Sequence, residues 1–259
     1  MSTPDVRVET SEGVLTMTLD RPDHGNMVRG QTARELADAL RLLRDDPSLR
    51  VGILTGAGER FFCLGGDHEE AVTALDHSQV LPMIDIYELL DTVAKPIIAA
   101  VNGFAVGGGN VLHVMCDLTV AADHALFRQV GPLVGSFDAG YGTWYLEELV
   151  GRKRAKEMWY LNKKYSASEA LEMGLVNEVV PAGEVLSRAK AIAHELKQRG
   201  PQALAALKMA FAAKHSGVIG QSRIAHDLML TKYLVTDEAH ELAAAFREKR
   251  EADQTRFNR

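Results

Sequence analysis

The chain has 259 residues, 46% of them hydrophobic and 25% charged, an ordinary composition for a folded domain rather than a disordered or fibrous chain. A net charge of −6 offers no basic surface for a nucleic-acid backbone, and charged residues interrupt every apolar stretch before it reaches membrane-spanning length. Two cysteines, Cys63 and Cys116, and nine histidines without ligand spacing supply neither a disulfide framework nor a metal site. The opening MSTPDVRVET lacks the basic and apolar blocks of a secretory signal, so the expected setting is cytoplasmic, with no membrane and no nucleic acid as partner.

Residues 6–20 alternate apolar and polar about Glu12-Gly13, which predicts a β-hairpin. Residues 31–46 carry Leu36, Ala39, Leu40 and Leu43 at helical spacing. VGILT at 51–55 reads as a buried strand, 81–94 as an amphipathic helix stopped by Pro96, and IIAAV at 97–101 as a second buried strand. Strand and helix alternate up to about Pro181, predicting a mostly parallel α/β core. From 183 to 251 the chain turns to Ala, Leu, Lys and Glu at helical period, punctuated by Gly200-Pro201, Gly217 and a helix start at Thr236-Asp237-Glu238. The expected organisation is a core over 1–195 and a helical segment over 196–259, which either lids its own core or packs on a neighbouring subunit. Arg152, Lys153, Arg154 and Lys156 read as the solvated face of a helix.

Three glycine-containing segments could carry chemistry. FFCLGGD (61–67) follows the VGILT strand, and NGFAVGGG (102–109) lies between IIAAV and an apolar run. Glycines between a strand and a helix leave N–H groups free at the positive end of a helix dipole, with no side chain to keep a ligand oxygen away. One amide from each segment would make an oxyanion hole; the other reading is a pair of tight turns or anion-binding nests. Neither a GxGxxG fingerprint nor a P-loop is present. The third segment, QVGPLVGSFDAGYG (129–142), sets Ser136 and Asp138 among glycines. Asp138 is a candidate general base and Ser136 a candidate hydrogen-bond donor, or the two cap the helix starting near Gly142. No GxSxG elbow surrounds Ser136, which argues against a Ser-His-Asp hydrolase.

Taken in order, RPDHGN, FFCLGGD, KPIIAAVNGFAVGGGNVL, CDLTVAADHALF and EALEMGLVNEVVP resemble the crotonase superfamily of acyl-CoA enzymes over nearly the whole chain. The resemblance implies an α/β fold with a ββα spiral core, an acyl-CoA thioester as substrate, and homotrimers or hexamers whose C-terminal helices complete the assembly. It puts the oxyanion-hole amides on Gly66 and Gly108. Substrate contacts would come from Leu64, Gly65, Asp67, His68, Phe104, Val106, Gly107, Val130 and Lys249. The positions where simple hydratases carry two glutamates hold Val111 and Gly131, so hydration of an enoyl-CoA by that pair is not expected.

QVGPLVGSFDAGYG, KEMWYLNKKYSASEALEMGLVN and TDEA followed by FREKR are similar to the branch of 2-ketocyclohexane-carboxyl-CoA hydrolase and 1,4-dihydroxy-2-naphthoyl-CoA synthase. The short stretch from Asp67 to Lys95 leans toward the ring-opening hydrolase, with synthase-type ring closure as the alternative. Further alternatives are a generic hydratase/isomerase and a non-catalytic crotonase scaffold. The branch implies catalytic roles for Ser136 and Asp138. It implies a tyrosine at Leu234, for which the adjacent Tyr233 is the candidate substitute. In synthases with Gln, Gly and Trp at the positions of Gln129, Gly131 and Trp159, bicarbonate serves as a base; no tightly bound cofactor is otherwise expected. Gly25 stands where the synthases have a CoA-contacting arginine, and Arg128 where a glycine is usual.

Overall fold

The computed structural model describes residues 3–67, 83–215, 217–253, 255 and 257. Strands β1 (Val6–Ser11) and β2 (Val14–Leu19) form the expected hairpin, with Val6 opposite Leu19 and Ser11 opposite Val14. Its turn holds Glu12 at φ 50° and Gly13 at φ 79°, both left-handed, as a two-residue hairpin turn whose twist matches its strands requires. β2 is buried from Leu15 onward while β1 is exposed beyond Val6, so β1 is the edge strand.

Parallel pairing extends this hairpin through β3 (Val51–Gly56), β5 (Ile97–Val101), β7 (Leu118–Ala122) and β10 (Glu178–Val180), giving the order β1-β2-β3-β5-β7-β10. A smaller sheet runs β4 (Phe61–Cys63), β6 (Phe104–Val106), β8 (Leu126–Arg128), β9 (Tyr165–Ser166). β3, β5 and β7 of the large sheet are each followed within a few residues by β4, β6 and β8 of the small one. That repeated strand-strand-helix step is the α/β crotonase-type spiral. The Gly30–Asp45 helix buries Leu36, Leu40 and Leu43, and the Val185–Lys197 helix lays Ala189 and Ala193 over β3, β5 and β7.

Beyond Pro201 the described chain contains helices and their connections but no strand, as its composition predicts. Val218–Arg223, a π-helical run Ile224–Leu230 and Thr231–Leu234 follow one another with αR junctions. The Asp237–Glu248 helix, opened by Thr236 whose Oγ1 accepts from the Ala239 amide, packs on the Gly131–Val134 turn of helix. The contact is close enough that a Cβ on Gly135 would lie 2.4 Å from the Ala239 carbonyl oxygen. The segment therefore covers its own core. No helix among the described residues is long and apolar enough to cross a membrane.

Candidate functional site

The small sheet brings the first two glycine segments together. β4 and β6 pair in parallel, Phe61 with Phe104 and Cys63 with Ala105, so the residues leaving their C-terminal ends are neighbours. Gly65 (φ 97°) turns the chain back toward Val28, which donates to the Gly65 carbonyl and accepts from the Asp67 amide. The amide between them, on Gly66, has no protein acceptor among the described residues, and the space beside its Cα is open. Gly107 (φ 57°) caps the Gly108–Met115 helix, which leaves the Gly108 amide at the first helical position, also without a protein acceptor. First-turn amides have no intrahelical partner. A Cβ on Gly65 would lie 2.9 Å from the Gly108 nitrogen, so the two strand ends are in van der Waals contact.

Val130 and Leu64 close around Gly107, Phe104 stacks edge-on against Phe61, and Asp67 pairs with the half-buried Arg21 at 3.5 Å. Val106 is half-buried. His68 lies outside the described residues.

Asp138 is buried and held by two amides, Gly140 N–H and Gly142 N–H, both donating to Oδ1 at 3.0 and 3.1 Å. The capping reading of this residue is thus realised, but only by one oxygen. Its Oδ2 has no partner among the described residues, and a buried, unpaired carboxylate oxygen is costly unless a guest completes it. Gly142 is obligatory: its Cβ would meet Val111 Cγ2 at 2.7 Å and Asp138 Oδ2 at 2.8 Å. Val111 stands three residues after Gly108 on the same helix face, so Gly142 seats the carboxylate beside the helix that Gly108 opens. Ser136 is half-buried in the same loop, its amide donating to the Gly131 carbonyl.

Two residues not singled out in the sequence complete this wall. Tyr87, fully buried on the Met83–Thr92 helix, directs its hydroxyl toward the Gly108 carbonyl at 3.5 Å and packs on Tyr141 and His226. Burial first, then the charge of Asp138, holds its phenol far above the ordinary range. His226, on the π-helical run, has Nε2 3.8 Å from Asp138 Oδ1. The only sequence signal for Tyr87 is its place on the apolar face of its helix beside Ile84 and Leu90; His226 sits in a stretch of ordinary helical periodicity with no local mark.

The chain matches the sequence model of the enoyl-CoA hydratase/isomerase family over residues 9–256. It belongs to that family. Similar solved structures include carnitinyl-CoA hydratase from Mycobacterium avium, at 32% identity with 98% of this chain and 100% of that one covered and a TM-score of 0.84. Enoyl-CoA hydratase from Bacillus anthracis is 31% identical over 96% and 98% of the two chains, with a TM-score of 0.74. An enoyl-CoA hydratase/isomerase from Pseudoalteromonas atlantica T6c is 25% identical over 96% and 99%, with a TM-score of 0.88.

Gly131, where the resemblance to simple hydratases implies their second glutamate, has no room for a larger residue. A Cβ on Gly131 would lie 2.8 Å from the Ser136 carbonyl oxygen, so a larger residue there displaces the Asp138 loop. Gly25 has a similar explanation: it sits at φ 61°, and a Cβ would lie 2.5 Å from Leu64 Cδ1, so Leu64 fills the place of a longer side chain. Arg128 donates Nε to the Asn162 carbonyl at the end of the Arg152–Leu161 helix, and burial lowers its pKa.

Among the described residues neither amide atom of the fully buried Gln129 has a partner, and the buried Trp159 Nε1 has none either. Asn162 Nδ2 donates to the carbonyls of both residues, tying their backbones together. Tyr233 packs against Phe137, ring centroids 5.5 Å apart, and donates its hydroxyl to Glu238 at 3.0 Å rather than leaving it open. Leu234 is buried with Leu230 against the same Phe137. Lys249 is an exposed helix C-cap at φ 54°.

Proposed function

We propose that this acyl-CoA enzyme acts on the C–C bond beta to the thioester, opening the ring of a cyclic β-ketoacyl-CoA by hydrolysis. The observation that carries the reading is one buried carboxylate: Asp138 keeps an oxygen unpaired among the described residues beside the helix that Gly108 opens, while Val111 and Gly131 leave no glutamate pair for hydration. In the proposed reaction the thioester oxygen accepts from the Gly66 and Gly108 amides. Asp138, aided by the Ser136 hydroxyl, draws a proton from a water whose oxygen bonds to the ring ketone carbon. The C–C bond then breaks, its electron pair moves onto the thioester as an enolate between the two amides, and a proton returns to the α-carbon. The product is an open-chain dicarboxylic acid mono-CoA ester. Each amide of such a hole is worth about 3–4 kcal/mol of transition-state stabilisation.

Ring closure of the dihydroxynaphthoyl-CoA type is the second reading, favoured by the unpaired donors of Gln129 and Trp159. Those two side chains, beside Gly131, fit a small oxyanion such as bicarbonate, which would supply a weak base close to the substrate. Leu207, Phe211, Ile224, Leu228 and Met229 are exposed on the C-terminal helices, an apolar surface that supports assembly into a homotrimer or a hexamer. Two buried thiols suit a reducing, cytoplasmic setting.

The test is incubation with 2-ketocyclohexane-carboxyl-CoA, products followed by mass spectrometry, with Asp138→Asn as control. Gain of one water as pimeloyl-CoA, lost in the variant, is the expected result. Turnover of succinylbenzoyl-CoA instead would move the assignment to the synthase reaction, and inactivity on both would overturn the C–C bond chemistry.

A further inference from the structure

The C-terminal helices bring a titratable side chain to the carboxylate just described. His226 is 6% exposed and Asp138 8%; Nε2 and Oδ1 are 3.8 Å apart, too far for a direct hydrogen bond and close enough to pair as ions. Among the described residues neither nitrogen of His226 has a hydrogen-bond partner, and Asp138 Oδ2 has none either. Three buried polar atoms left open at one point are rare in a folded protein, because each costs about 1–3 kcal/mol. They call for a polar guest.

The local backbone is built to hold the imidazole there. His226 stands in the π-helical run Ile224–Leu230, and π-helical turns displace side chains out of α-helical register, frequently at functional sites. One turn earlier, Ser222 presses on the Asp138 loop so closely that a Cβ on Gly140 would lie 2.0 Å from its Oγ. Arg223, bonded to Asp85 and Glu88, clamps the same run to the helix that carries Tyr87. The Tyr87 ring lies 6.5 Å from the imidazole, and its hydroxyl lies 3.5 Å from the Gly108 carbonyl. Tyr87 therefore bridges His226 to the glycine segment that would hold an enolate.

We propose that His226 is the acid partner of Asp138: it receives the proton drawn from the attacking group and returns it to the α-carbon of the thioester enolate. The inference rests on the enolate chemistry proposed above and adds the group that closes its proton balance. In the ring-opening case one water O–H bond breaks, and the oxygen bonds to the ketone carbon. The proton passes from Asp138 to the imidazole across one bridging water, the polar guest that spans their 3.8 Å separation. When the C–C bond breaks and its electrons reach the α-carbon, the imidazolium delivers that proton, forming the C–H bond and regenerating neutral His226. Asp138 stays ionised beside the imidazolium, which stabilises the charged intermediate.

The experiment separates this step from ring opening. Pimeloyl-CoA in D2O needs only an enolate and a proton carrier to exchange its α-hydrogens, and mass spectrometry reads the deuterium gained. Wild-type protein is expected to exchange. His226→Ala and His226→Gln should each lose about 10²–10⁴-fold in exchange rate, with unchanged thioester Kd; the Ala variant melts lower because it leaves a cavity, the Gln variant less so. Free imidazole should restore exchange in His226→Ala, where a cavity is left, and not in His226→Gln. Exchange at the wild-type rate in both variants overturns the assignment, as does wild-type protein that binds the thioester without exchanging it. A loss that tracks weakened binding and is not rescued by imidazole makes His226 structural and also overturns it. Exchange without hydrolysis of any cyclic β-ketoacyl-CoA would sink the ring-opening reading alone.

Discussion

Gly65 and Gly108 are so close that a Cβ on the first would stand 2.9 Å from the nitrogen of the second, and Gly65 adopts φ 97° to make that approach. Two strand ends of the small sheet can meet there because Gly65 carries no side chain. Gly65→Ala is therefore expected to act twice. The left-handed backbone costs about 1–3 kcal/mol of stability, and the added methyl pushes the Gly66 and Gly108 amides apart. Turnover of the thioester substrate should fall about 10²–10³-fold, the size of losing one oxyanion donor. Urea unfolding and steady-state kinetics on the same preparation read both; a variant with lowered stability and full turnover would remove the two amides from the mechanism.

Asp138 has one oxygen in the backbone and one unpaired, so its two jobs can be separated by substitution. Asn keeps an Oδ1 to accept from the Gly140 and Gly142 amides. Asp138→Asn should melt within a few degrees of wild type and lose turnover by about 10²–10⁴-fold. Asp138→Ala should also destabilise by about 1–3 kcal/mol, because two buried amides are left without an acceptor. Thermal melts alongside product analysis decide it. Equal activity in Asn and wild type would reduce Asp138 to a cap.

Much of this site was legible as segments and little of it as contacts. The glycine runs at 65–66 and 107–109 and the Ser136–Asp138 loop are local features, because positive φ and missing side chains are written in the residue types themselves. The helices and buried strands followed from period, and the Glu12-Gly13 turn from composition. That β4 pairs with β6, and so joins two segments some forty residues apart, is a tertiary fact that no window of sequence contains. His226 illustrates the limit: it reaches Asp138 only because a chain reversal and a π-helical turn carry it there. Tyr87 was hidden for a different reason, since a buried tyrosine on an apolar helix face has the same pattern whether it fills the core or lines a site.

Gly25 and Leu64 should prove energetically coupled. Gly25→Ala forces a side chain into φ 61° and against Leu64 Cδ1 at 2.5 Å. The expected loss is about 2–3 kcal/mol from strain and overlap together. Leu64→Ala removes the overlap but not the strain, so the double variant should be more stable than additivity allows, by at least about 0.5 kcal/mol. A double-mutant cycle in urea measures the difference; strict additivity would mean that Leu64 swings away freely and does not fill the position.

The pH dependence of stability should carry the mark of His113. It is buried at 1% exposure on the helix that begins at Gly108, with Nε2 3.0 Å from Asn110 Oδ1 and Nδ1 3.4 Å from Thr119 Oγ1. Its ring packs edge-on against Phe127 at 4.9 Å. Burial pulls its pKa down to about 3, while the unfolded chain has an ordinary imidazole near 6.5. Between those values the unfolded state binds a proton that the folded state refuses, so stability rises with pH across about 3 to 6.5 and falls as the solution is acidified below 6.5. The slope approaches about 1.4 kcal/mol per pH unit, or about 2 kcal/mol lost between pH 7.5 and pH 5. Carboxylates such as Asp5 and Glu148, whose pKa values are lowered by their partners, contribute in the same direction at more acid pH. Comparison with His113→Gln isolates the histidine, since that variant keeps polar atoms for Asn110 and Thr119 but cannot titrate. Urea unfolding at pH 7.5 and pH 5 should show wild type losing about 2 kcal/mol more than the variant. Equal losses would mean that His113 takes up its proton in the folded protein, and that the helix carrying the Gly108 amide tolerates a buried cation.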